Sequence, residues 1–291
     1  MYFFVQVKDR RTRRPETPVL CRTRFRPKQC TGIILLACCS ASLAASWPST
    51  VDKNPPGNFP ELRPLHATYR FGWSGLTAAT GDVHFTKTSD GKFQLDGTGR
   101  TIGFVRFLWK LDLDYHGVAD AQTLRPAEAR QIENYRSKQV ATHLTFTDNS
   151  VTSVRTETHG GPASTKTRQF DFSNLFDLHS AMLYLRSQPL KERNVHRVVV
   201  YPATNAYLAT IKVLGREKVT VRGGIYNAIK LDLQLSRVGK HLELEPHRKF
   251  RRATIWVSDD PDRIPLRIEA QIFVGTVFAE LQSIRFDSAK S

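Results

Sequence analysis

Few side chains in this chain are placed to do chemistry, and the clearest two share one short apolar stretch. In residues 174–186, Leu175, Leu178, Met182 and Leu185 recur at helical spacing, and His179 and Tyr184 are the polar groups there that read as poised for a ligand. An imidazole and a phenol in such a setting either meet a ligand or satisfy buried backbone groups. Trp109 and Tyr115 complete the set of candidate ligand-facing residues. His241, Glu243, Glu245 and His247 are of types that hold a divalent metal. On a strand, however, they share one polar face, alternating with Leu242 and Leu244, and Pro246 interrupts regular pairing. Asp259, Asp260 and Asp262 surround Pro261 and supply oxygens of the kind calcium takes, about six to eight at a time. They lack the glycine and distal glutamate of a calcium loop and read as a solvated hairpin turn. Gly72-Trp73-Ser74-Gly75 is one glycine short of a nucleophile elbow and lies between two strands, which makes it a tight hairpin. Metalloprotease, phosphate-loop and dinucleotide-binding motifs are absent. No catalytic, cofactor-binding or metal residue is assigned, no cofactor is implied, and a non-enzymatic role is favoured.

The elements that must carry these residues are mostly strands. Leu65, Ala67, Tyr69 and Phe71 alternate with His66, Thr68 and Arg70, and the same period of two recurs in 92–96, 110–116, 229–236 and 266–272. One apolar and one polar face per strand favours antiparallel pairing. Turn signals separate the runs: Ser89-Asp90-Gly91, His159-Gly160-Gly161-Pro162, Arg222-Gly223-Gly224 and Asp259-Asp260-Pro261-Asp262. The expected fold is mainly β, a single curved antiparallel sheet or partly open barrel of about a dozen strands. One helix over 174–187, with Ser173 or Asn174 as N-cap, covers part of it, and 103–108 forms either a helical turn or a bulged strand entry. The β-rich domain spans 63–288, with 63–172 and 193–288 as candidate halves joined by the helix.

The ends of the chain read differently. Residues 1–46 hold nine basic and two acidic side chains ahead of the apolar run Ile33-Ile34-Leu35-Leu36-Ala37, then small residues, with a cleavage site expected near Ala44 to Ser46. This is a signal peptide whose basic region is long enough to suggest a true start near Val19 or Leu20. The chain's net charge of +16 falls to +9 once that leader is set aside. All four cysteines, Cys21, Cys30, Cys38 and Cys39, fall in the leader, which leaves 47–291 without thiols. Leu35-Leu36-Ala37-Cys38 also resembles a lipoprotein box, with Cys38 as the candidate lipidation residue, so both a soluble and a lipid-anchored form stay open. Proline-rich 47–62 reads as a flexible linker. Beyond the leader no segment is long and apolar enough to span a membrane, so contact with one is expected to be peripheral or through a lipid anchor.

The chain resembles the bacterial family known as domain of unknown function 3108 over about 64–287. The resemblance is carried by the opening strand Leu65 through Leu76 with Ala78-Ala79-Thr80-Gly81, and by the helix Asp177-Leu178-His179-Ser180-Ala181-Met182-Leu183-Tyr184-Leu185-Arg186. Leu214-Gly215-Arg216-Glu217-Lys218-Val219 with Gly224-Ile225-Tyr226-Asn227-Ala228, and Ile255-Trp256-Val257-Ser258 leading through Asp259 to Pro265-Leu266, complete it. It implies an exported β-rich domain of Gram-negative-type bacteria and transfers no catalytic residue. The expectation is a periplasmic or envelope protein binding an apolar or amphiphilic ligand, with lipid, lipoprotein or anionic polysaccharide as partner and nucleic acid excluded. The alternatives are an assembly factor docking on envelope machinery and, behind it, an unrecognised hydrolase.

Overall fold

The computed structural model describes residues 46–57, 60, 62–247, 249–273 and 275–287. The expected leader, its cysteines and the candidate lipidation residue Cys38 lie outside them. Among the described residues no helix is long and apolar enough to cross a membrane.

Alternating residues become strands throughout. A meander of β1 (Leu65–Trp73), β2 (Leu76–Lys87) and β3 (Lys92–Thr101) leads through helix α1 (Gly103–Leu108) into β4 (Leu111–Asp120). It continues as β5 (Pro126–Tyr135), β6 (Gln139–Phe146), β7 (Ser150–Thr158) and β8 (Ser164–Asp171). The chain then crosses to β9 (Leu175–Phe176) and helix α2 (Leu178–Ser187). From there it forms β10 (Val195–Val200), β11 (Ala206–Val221), β12 (Gly224–Val238), β13 (Leu244–Pro246), β14 (Phe250–Ser258), β15 (Pro265–Ile272) and β16 (Gly275–Phe286).

All sixteen strands belong to one sheet, in the order β8-β7-β6-β5-β4-β3-β2-β1-β16-β15-β14-β12-β11-β10-β9, with β13 beside β12. Every pair is antiparallel except β9 with β10. Because β16 returns to pair with β1, Tyr69 opposite Leu281, the two sequence halves are two wings of one sheet. Among the described residues there are more strands than the dozen expected, and 103–108 takes the helical of its two expected forms as a second α-helix beside α2. β9 and β13 are two and three residues long, and every residue of β8 except Phe170 is exposed, so none of the three shows an apolar period.

A sheet of this width has to curl, split or close. Here it curls until its wings touch: Ala129, Leu144 and Val151 of β5–β7 share a cluster with Leu175, Val199 and Leu208 of β9–β11. The contact is made by side chains. Ser153 Oγ donates to the Ala203 carbonyl at 2.6 Å, Arg168 Nη1 to the Thr204 carbonyl at 3.2 Å, and the rings of Phe170 and Tyr201 stack with centroids 6.1 Å apart. The sheet is therefore not closed by a backbone ladder. A second cluster, with Ile229 and Leu231 fully buried, joins β10–β14 to Tyr184 and Leu185 of α2.

Residues 46–57 correct the linker reading. Trp47–Thr50 is a short 3-10 helix whose Trp47 indole donates to the Leu242 carbonyl at 2.5 Å, and Val51 is buried. Asp52 lies 2.9 Å from His196 Nδ1, and Asn54 and Pro55 offer their carbonyls to Tyr184 and Gln188. Proline keeps this segment out of helix and sheet interiors; it does not prevent an extended chain with two apolar anchors from docking.

Candidate functional site

Between α2 and the concave face of β1–β4 lies a cavity of about 280 Å³, lined mostly by apolar atoms. Its floor follows from strand parity. Ala67, Tyr69 and Phe71 of β1 point inward, as do Val83 and Phe85 of β2, Leu95 of β3, and Leu113 and Tyr115 of β4. The same inward positions include Gly81, Gly97 and Gly99, with Gly81 opposite Gly99 and Gly97 opposite Tyr115. Missing side chains on three neighbouring inward positions create the space. At Gly117, next on the same face of β4, the Tyr115 ring occupies the place of a side chain: a Cβ there would lie 2.7 Å from Tyr115 Oη.

Helix α2 closes the cavity from above. Asp177 is its N-cap, accepting from the Ser180 amide at 2.7 Å while Ser180 Oγ accepts from the Asp177 amide at 3.0 Å. This reciprocal capping box stops the helix from starting earlier. Asn174, the expected cap, instead takes a left-handed φ of 63°, and Leu175–Phe176 pairs with Val199–Val200. The second Asp177 oxygen accepts from Tyr115 Oη at 2.7 Å, which ties the helix start to the cavity floor.

His179, two residues on, is 5% exposed and lies edge-on to Phe85. Neither ring nitrogen has a hydrogen-bond partner among the described residues. Burial lowers its pKa from the usual histidine value, with the nearby Asp177 carboxylate opposing in part. At neutral pH the ring is neutral and offers one N–H donor and one acceptor nitrogen. A histidine whose folded pKa is depressed binds its proton less readily than in the unfolded chain. Stability is therefore full above the unfolded pKa near 6.5 and is lost as pH falls through the window down to the folded value. The expected slope is at most about 1.4 kcal/mol per pH unit, and His179→Leu should flatten it. Urea midpoints of both proteins at pH 7.5 and 5.5 check this, and parallel slopes would reject it. His247, also lowered mainly by burial, accounts for slope that persists in the variant.

Three arginines, Arg186, Arg263 and Arg267, line the cavity beside Asp82 and Asp262. Arg186 of α2 donates to the carbonyls of Pro261 at 2.6 Å and Asp262 at 2.9 Å, and Arg263 donates to those of Arg186 and Gln188. Burial, and then the proximity of Arg186, lowers the Arg263 pKa to about 10, which leaves it charged at neutral pH. Arg267 lines the same rim, paired with Glu269.

Of the four candidate ligand-facing residues, His179 and Tyr115 line the cavity. Tyr184 is on the other side of α2: its hydroxyl donates to the Asn54 carbonyl at 3.1 Å, and its ring packs 5.0 Å from Phe176. Trp109 lies just past α1, 47% exposed and away from the cavity, near the exposed Phe104, Phe107 and Leu108. Ser74 and Gly75, at φ 47° and 88°, make the tight β1–β2 hairpin. In the 259–262 turn, Asp260 Oδ1 accepts from the amides of Asp262 and Arg263, while Asp259 and Asp262 pair with Arg216 and Arg63. His241, Glu243, Glu245 and His247 do not converge: Glu245 pairs with Arg237, and His247 Nδ1 accepts from the Phe250 amide. The groups that do converge were not singled out from sequence. They are His66 and His84, with Asp287 beyond the end of β16, on the outer face of β1 and β2. The repeated glycine at 97 and 99 was the one local signal for the cavity floor.

A family model described as "Protein of unknown function (DUF3108)" matches residues 68–282. No curated protein matches significantly. Among solved structures, the chain is similar to a β-barrel-like protein of domain of unknown function DUF1849 from Brucella abortus. The two are 11% identical with a TM-score of 0.53, over 79% of this chain and 100% of that one. A lipoprotein candidate from Parabacteroides distasonis is 7% identical, TM-score 0.33, over 80% of this chain and 100% of the other. A candidate exported protein with a YmcC-like fold from Bacteroides fragilis is 7% identical, TM-score 0.33, over 78% and 98%. The likeness to the Brucella protein is one of fold.

Proposed function

We propose, for a chain that belongs to the DUF3108 family of proteins of unknown function, that the cavity under α2 holds an apolar or amphiphilic ligand in a non-catalytic domain of the bacterial cell envelope. The observation that carries this reading is His179, a buried neutral imidazole with both nitrogens unpartnered, on the wall of an otherwise apolar cavity. Buried polar groups are nearly always satisfied, and a turn of this ring, whose nitrogens are closed off here, would bring one of them to whatever occupies the adjoining space. A ligand with an apolar chain and a hydroxyl or carboxyl group fits both features. The three guanidinium groups of Arg186, Arg263 and Arg267 favour an anionic head at the mouth. The leader-like 1–46 supports export and a periplasmic or envelope location.

The test is titration of delipidated protein with a fluorescent long-chain fatty acid. Saturable one-to-one binding is expected, and His179→Leu should weaken it about three- to tenfold, the worth of one buried hydrogen bond. A cavity that takes no probe would sink the reading. Crosslinking to a discrete partner through the exposed apolar residues Phe104, Phe107 and Leu108 would then favour an assembly factor.

A further inference from the structure

The outer face of β1 and β2 carries a second constellation, separated from the cavity by the alternation of the strands themselves. His66 and His84 are direct cross-strand partners, and their rings stack with centroids 3.7 Å apart at 11°. Asp287 follows β16, and its amide donates to the Pro64 carbonyl at 3.0 Å, extending the β1–β16 ladder by one bond. That bond holds the carboxylate over the histidine pair: Oδ1 lies 3.6 Å from His66 Nε2, and Oδ2 lies 3.4 Å from His84 Nε2. One ligand atom from each residue falls within 4.8 Å of the other two. The three side chains are 44%, 37% and 32% exposed, so an ion reaches them from solvent without opening the fold.

We propose that His66, His84 and Asp287 bind one divalent transition cation of the zinc type. Two imidazole nitrogens and one carboxylate oxygen form a donor set suited to such ions rather than to calcium or magnesium, which take oxygen. Tetrahedral zinc at about 2.0–2.1 Å from nitrogen sets its donor atoms about 3.4 Å apart. Drawing three atoms already within 4.8 Å to that spacing takes side-chain rotation and leaves the strands in place. Directly opposed positions on an antiparallel pair have Cβ atoms about 4.5–5.5 Å apart, which suits two imidazoles on one ion. Three protein ligands leave a fourth position for water. Asp96, opposite His84 on β3 and hydrogen-bonded to His116 Nδ1 at 2.6 Å, adds a second carboxylate beside the site. This inference is independent of the cavity.

The experiment is calorimetric titration of the EDTA-stripped full chain with ZnCl2, its four cysteines alkylated so that thiolates do not compete. One site with a micromolar or tighter Kd is expected. His66→Ala and Asp287→Asn should each weaken it at least tenfold, and His143→Ala, on the same outer face but outside the cluster, should not. The absorption spectrum of the Co2+ form of the unsubstituted chain is the second readout, and strong visible bands of a tetrahedral site are expected. Absence of saturable binding, binding that survives His66→Ala with His84→Ala, or binding lost only in His116→Ala would overturn the proposal.

Discussion

Asp177→Ala is expected to destabilise the chain by about 2–4 kcal/mol, read from urea unfolding. One carboxylate performs two tasks there. It caps α2, and loss of an N-cap costs about 0.5–2 kcal/mol. It also accepts from Tyr115 Oη at 2.7 Å, and hydrogen bonds to a charged group contribute about 1.5–3 kcal/mol. Tyr115→Phe removes only the second task and should cost less. The double variant should be no worse than Asp177→Ala by more than a few tenths, because the two changes delete the same bond. Full additivity would show that the floor and the helix are not coupled through this contact.

Gly97→Leu is expected to lower affinity for the fatty-acid probe by about a hundredfold while stability holds or rises. A Cβ at Gly97 meets Tyr115 Cβ at 3.8 Å, the Asp82 carbonyl oxygen at 3.9 Å and Leu95 Cδ2 at 4.0 Å, all ordinary contacts, so a side chain can start there without a backbone clash and extend toward the cavity. A ligand displaced by about four methylenes loses roughly 3 kcal/mol at about 0.8 kcal/mol each. Removing a glycine from a strand interior also removes its entropic cost. Gly81→Leu is the contrast: a Cβ there lies 2.7 Å from the Thr98 carbonyl oxygen, so stability should fall as well. Unchanged probe affinity in Gly97→Leu would place the ligand elsewhere.

The features legible in the sequence were those encoded locally. The alternation at 65–71 and 229–235 is the alternation of β1 and β12, because each buries one face on a core. β8 was silent, since an edge strand with almost no buried face has no period to show. The helix was visible by its spacing but read four residues too early. Leu175 fits the helical period, yet it and Phe176 are drawn into strand by Val199 and Val200, a pairing no local pattern encodes. His179 was recognisable as a polar group on an apolar face, and Tyr184 looked the same; the side of the helix that each occupies depends on which wing of the sheet lies beneath it. His66 and His84 are eighteen positions apart and meet only through the β1–β2 register, and Asp287 reaches them only because β16 closes beside β1.

The side-chain seam between β7–β8 and the segment around Tyr201 to Thr204 has a mechanical consequence. In a closed barrel the bore is set by strand number and stagger, and widening it means breaking a continuous ladder. Here the circumference is interrupted where Ser153, Arg168 and Phe170 meet the opposite wing. The girth of the sheet is therefore set there by side-chain bonds and by the apolar cluster around Leu144, Val151 and Val199 rather than by backbone pairing, as a clasp sets a bracelet. Letting that clasp out would cost side-chain contacts at the seam and leave the strand-to-strand ladders paired.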